Sequence, residues 1–206
     1  MAFSSYKNLE IVKAKYPQIM VENSSFIPKN LDLIAVSDNL QNEIDFNLET
    51  YKSNEFLACE CLVSPILRAV WRPYYREINY WSHQAIAYNE DLSGTPDFMF
   101  TKLEGKQYQI LSYPVVTTVV TTVETKAENF VESWAQCIVQ MIACQKLNTN
   151  PDVVVFGIVT TGKFWEFGKL ENDIATIHNF SYTINELPKL MTAIDYLLKE
   201  AKKQLR

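Results

Sequence analysis

Residues 113–127 read YPVVTTVVTTVETKA. Successive side chains of a strand point to opposite faces of the sheet, and here Val and Thr occupy both faces. A strand of that kind belongs in the middle of a sheet that is covered on both sides. A second run, DVVVFGIVTT at 152–161, makes the same demand. The chain must therefore supply helices above and below a central sheet.

The remaining segments offer them. Residues 1–20 read as a short helix, whereas 28–48 show no period and read as a surface crossing. Residues 50–72 are helical with an interruption at Pro65: either Ser64 caps a second segment with Pro65 at its first position, or the helix kinks there. INYWSHQAIAYNEDLSG (78–94) is an aromatic-rich strand ending in a turn. TPDFMFTK (95–102) is a second strand, closed by the turn LEGK, and 113–127 is the third. Asn129 followed by Glu132 forms a capping-box pattern that starts a helix. After the strand at 152–161 come KFWEFGKLE and IATIHNFSYTI, then a terminal helix over 185–204. The expected fold is α/β, a central mixed β-sheet flanked by helices, in one domain spanning 1–206.

Composition narrows the function classes. The chain has 206 residues, 48% hydrophobic and 21% charged, which excludes intrinsic disorder. A net charge of −5 argues against coating nucleic acid by charge alone, but not against local contact through a metal. No apolar run reaches the ~18 residues of a membrane span. The N-terminus lacks a signal-peptide pattern, so the expected location is cytoplasmic. Cys59, Cys61, Cys137 and Cys144 form no CxxC, and neither His83 nor His178 is near a Cys in sequence. They read as reduced core thiols rather than a structural zinc site.

The third strand poses a question at its end. Alternation puts Glu124 and Lys126 on one face and Thr125 on the other. Burying such charges costs several kcal/mol per ion. A second carboxylate sharing a divalent cation would offset that cost. Asp97, after Pro96 at the start of the second strand, can supply it, since Pro suits a strand's first residue. Asp97 and Glu124 would converge on a hard cation that takes oxygen ligands at ~2.1 Å. The cation would neutralise a phosphate and activate water, with Lys126 orienting that water and stabilising developing charge. Of the three Glu-x-Lys triplets, at 104–106, 124–126 and 200–202, only the middle one ends a strand. The other Pro-Asp pair, at 151–152, follows it in the wrong order.

GTPDFMF followed by VVTTVETKAENF resembles the PD-(D/E)xK nuclease superfamily, the restriction-endonuclease-like fold. YWSHQAIAYNEDLSGTPDF, AQCIVQMIACQKLN and FGIVTTGKFWEFGKLE look more narrowly like small stand-alone bacterial members. The resemblance covers about residues 50–170. It implies a core of helix, three strands, helix and strand, and a nuclease cleaving nucleic-acid phosphodiesters with Mg2+ or Mn2+. Asp97 and Glu124 would be the metal ligands and Lys126 the catalytic lysine. A Glu on the preceding helix would assist; Glu60 is the choice, with Glu55 and Glu49 as alternatives and a solvated stripe with Ser64 and Arg68 as the plain reading. Some members carry Gln-xxx-Tyr on the following helix. Here Gln136 matches, but Gln140 stands in place of Tyr; both could touch phosphate or base. The implied partner is nucleic acid, DNA before RNA, with no membrane and a homodimer open. The alternative is a protein of this fold that binds nucleic acid or protein without cleaving.

Three further groups read plainly. His83 is expected to be packed, and Trp165 and Phe167 to lie in the core or an interface rather than form a base-stacking platform. Arg72 and Arg76 read as a solvated helix end.

Overall fold

A computed structural model describes residues 3–50, 55–103, 115–119, 126–148, 150 and 152–204; at Glu55, 115–119 and 126–129 the backbone alone is considered. The N-terminal part holds α1 (Leu9–Lys15), β1 (Met20–Asn23), α2 (Asp38–Thr50), α3 (Glu55–Ala58) and α4 (Ser64–Trp71). Then come β2 (Ile78–Ser82), β3 (Ile86–Ala87), β4 (Ser93–Gly94), β5 (Phe98–Lys102) and β6 (Val115–Val119). After α5 (Lys126–Leu147) follow β7 (Val155–Thr160), β8 (Phe164–Glu171), β9 (Ile174–Ile177), β10 (Tyr182–Thr183) and α6 (Leu187–Lys203).

The main sheet runs β1-β9-β8-β7-β6-β5-β2, with β10 added to β8. β2, β5 and β6 pair antiparallel in succession, and β6 and β7 pair parallel across α5. A parallel pair needs such a crossover. The sheet is mixed and flanked by helices on both faces, as the two doubly apolar runs require. Phe98, Phe100, Phe156, Ile158, Trp165 and Phe167 join the side chains of α2, α4 and α6 in one buried cluster. Met99, Val155, Val159 and Leu170 face the other way and join α1 and α5. The strict alternation along β5 and β7 is the sequence period made visible.

Two glycines set how closely α5 approaches. Gly157 of β7 and Gly168 of β8 stand directly opposite each other. A Cβ at Gly157 would sit 2.7 Å from the Cys137 sulfur, and one at Gly168 would sit 2.7 Å from the Trp134 ring. Both helix residues are fully or almost fully buried. The bare patch is thus filled by α5, and any side chain there would force the helix off the sheet.

Several local expectations change. Residues 38–50 form α2 rather than a surface crossing; it fully buries Leu40 and Ile44 and packs Leu48 half-buried beside them, a narrow stripe at four-residue spacing. A second segment does start at Ser64 with Pro65 in its first turn, but without a side-chain cap from Ser64. A π turn over Cys59–Val63 precedes α4, and the Ser64 N–H reaches back to the Cys59 carbonyl. That wider turn moves the register just ahead of a residue with no N–H to give. The aromatic strand at 78–94 divides into β2 and the small β3-β4 hairpin, because His83 adopts φ +51°. α5 begins at Lys126, three residues before Asn129.

Candidate functional site

Asp97 sits immediately before β5, between buried Pro96 and buried Phe98. Phe98 pairs with Thr117, so β6 runs on past that pair to Val119 at the same sheet end at which Asp97 enters. Because β6 and β7 are parallel, the crossover helix returns antiparallel to them. Its first residue, Lys126, therefore belongs to that end as well. Lys126 stands on a helix rather than on the strand, so strand alternation does not place its side chain. Glu124, with 120–125, lies outside the described residues.

The side chains around Asp97 come from two other segments. His83 follows β2, and its N–H donates to the Asp97 carbonyl at 2.8 Å, extending the β2-β5 pairing by one step. Its Nε2 stands 3.7 Å from Asp97 Oδ1. Cys59 opens the π turn. The ligand atoms of Cys59, His83 and Asp97 all lie within 4.8 Å of one another, the one such group among the described residues. Burial is graded across it. Cys59 is 2% exposed, the Asp97 side chain 18% and the His83 side chain 46%. His83 is thus half open to solvent rather than packed.

The surroundings hold the three in place. Ser82 Oγ and His83 Nδ1 are 2.8 Å apart, and the imidazole meets the Phe98 ring edge-on at 5.9 Å between centroids. Tyr80 stacks on Phe98 and shares a 3.1 Å hydrogen bond with Ser64. Burial pushes the Tyr80 phenol up to about 12, so it stays a neutral hydroxyl at ordinary pH. Gly162, at φ +81° in the β7-β8 turn, lies against Leu62 and Ala58, which seats the π turn on this end of the sheet.

The other expected residues lie elsewhere. Glu60 is exposed and lines a surface groove of about 660 Å3 with Glu43, Ser64, Arg68 and Arg72. It follows Cys59 directly but is not part of the Cys59 group. Gln136 donates to Glu132 at 3.0 Å, one turn earlier on α5, and Glu132 in turn holds Lys7. Gln140 is 4% exposed. Glu49 lies near the end of α2 and Glu55 opens α3. Trp165 and Phe167 are fully buried, as expected.

Sequence reasoning passed over His83 and Cys59. The signal for His83 was a Ser-His pair at the end of an aromatic run, where strand becomes turn. Cys59 gave none, because it sits 38 residues from Asp97 among apolar neighbours. No family model matches the chain, and neither does any curated protein. Among the described residues no helix is long and apolar enough to cross a membrane.

Proposed function

We propose that the chain is a metal-dependent nuclease of the PD-(D/E)xK kind, hydrolysing phosphodiester bonds in nucleic acid, DNA first. One observation carries this reading: Asp97, the exit of β6 and the start of α5 share one end of the sheet. The order α4, β2, β5, β6, α5, β7 is also the order that the resemblance implies. The N-terminus of a 22-residue helix adds a partial positive charge suited to phosphate.

Asp97 is the proposed metal residue at which the described structure has a partly buried carboxylate. Glu124 completes the proposed pair, and Lys126 supplies the charge at the phosphate. Magnesium and manganese prefer oxygen donors, and the described neighbours of Asp97 offer sulfur and imidazole nitrogen instead. A hard cation at Asp97 therefore requires Glu124 beside it. The deciding experiment incubates the pure protein with plasmid and single-stranded DNA under magnesium, manganese, zinc or EDTA. Cleavage that stops with EDTA and in Asp97→Asn supports the reading. No cleavage under any of the metals overturns it in favour of a non-cleaving binding module.

A further inference from the structure

We propose that Cys59, His83 and Asp97 form a site for a borderline divalent cation, zinc before any other, bound by one thiolate, one imidazole and one carboxylate. The proposal shares Asp97 with the nuclease reading and does not rest on it.

The donor set makes the first argument. Thiolate and imidazole select zinc and its transition-metal neighbours, and a carboxylate completes a common zinc set. Distance makes the second. Nε2 of His83 and Oδ1 of Asp97 are 3.7 Å apart, beyond hydrogen-bond length. Two ligands held at ~2.0–2.1 Å on a tetrahedral ion stand about 3.4 Å from each other. The observed gap needs to close by only a few tenths of an ångström. The sulfur, within 4.8 Å of both, needs a shift of about 1 Å, which one side-chain rotation can supply.

The backbone is prepared for this in three places. The His83 N–H to Asp97 carbonyl bond fixes two of the ligands relative to each other. His83 occupies the left-handed region, uncommon for a residue with a side chain and concentrated at functional sites. Cys59 begins a π turn, a feature with the same tendency. The Ser82 hydroxyl lies on Nδ1 of His83. With the Nδ1 proton directed to Ser82, Nε2 turns its lone pair toward Asp97, the outer-shell arrangement that metal-binding histidines use. The thiol lies at the closed side and the imidazole at the open side, so an ion can enter from solvent. Three protein ligands are the count that catalytic zinc sites use, with the fourth position taken by water or substrate. Cys59 must give up its proton on binding, so uptake releases acid and strengthens with rising pH.

The test uses the full chain, treated with chelator and titrated with Co2+ alone. One equivalent should produce a thiolate-to-cobalt charge-transfer band and the intense visible bands of a four-coordinate ion, and zinc should displace it. Cys59→Ser should abolish the charge-transfer band. His83→Asn and Asp97→Asn should weaken cobalt beyond the ~10–100-fold that an outer-shell partner is worth, and Ser82→Ala should fall within that range. His83→Asn changes an exposed side chain and tolerates the same backbone conformation, so it decides the matter even if Cys59→Ser fails to fold. A parent without the band, a band that survives Cys59→Ser, or unchanged affinity in His83→Asn overturns the proposal. Cobalt binding without cleavage of any nucleic acid supports this site and sinks the nuclease reading alone. Magnesium-dependent cleavage without the band sinks this site alone.

Discussion

The two histidines of the chain stand in opposite conditions. His178, just past β9, is buried, and its Nδ1 accepts the N–H groups of Phe26 at 3.2 Å and Ile27 at 3.5 Å. Phe26, Phe180 and Tyr182 surround the ring. Burial lowers its proton affinity, so it stays neutral. His83 is half exposed, in an uncommon backbone conformation, with a nitrogen directed at a carboxylate it does not bond. One ring is committed to tying the 24–27 segment to the sheet; the other is poised at the sheet's open end. The difference teaches that burial among rings, with backbone donors on one nitrogen, marks a structural histidine. Exposure beside a thiol and a carboxylate marks one available for chemistry.

The largest expected effect belongs to the chemical end. Lys126→Met removes the charge at the start of α5, and cleavage should fall by roughly 10²-fold or more. Initial rates on plasmid DNA, with melting temperature as the control, check it; a parent-like rate removes Lys126 from the reaction.

At the structural end the effect is on stability. His178→Ala takes the acceptor from two backbone donors and leaves a void, for a loss of about 2–4 kcal/mol. Denaturant unfolding at pH 8 measures it. A loss below ~1 kcal/mol would mean that water satisfies those donors, and the contrast between the two rings would weaken.

Substitutions at His83 sharpen the comparison from the other side. His83→Val puts a β-branched residue at φ +51°, and should cost about 1–2 kcal/mol. His83→Asn accepts that conformation and should stay within ~0.5 kcal/mol of the parent. Equal losses in both variants would show that the imidazole itself supports the fold.

The smallest effect is a pH dependence. The folded-state affinity of His178 for protons lies below its unfolded value of 6.5. The unfolded chain then binds more protons, so stability rises with pH. The contribution is complete above about pH 6.5 and is lost as pH falls below it. His178→Gln keeps an acceptor and cannot titrate, so its melting temperature should fall less than the parent's between pH 7.5 and 5.5. Parallel falls would assign the dependence to other groups.

Much of the fold was legible. The apolar run at 152–161 announced β7 as buried on both faces, and TPDFMFTK announced β5 as a strand. α2 was not legible because its core stripe of Leu40, Ile44 and Leu48 is narrow and the large apolar Phe46 points to solvent, blurring the period. The π turn could not be read either, since it answers Pro65 through backbone geometry and has no composition of its own. At the site, Pro96-Asp97 marked a strand entrance two residues early, since β5 begins at Phe98. His83 became a neighbour of Asp97 through the β2-β5 pairing and Cys59 through the seating of the π turn on the sheet, tertiary events without a sequence period. Glu124 remains a sequence expectation.

The facing glycines of β7 and β8 have a consequence for assembly. A hairpin paired two residues out of step would separate Gly157 from Gly168 and set side chains beneath Cys137 and Trp134. α5 would then find no recess and could not seat. Only the native pairing admits it, so the helix acts as a gauge that accepts one alignment of the two strands and rejects its neighbours.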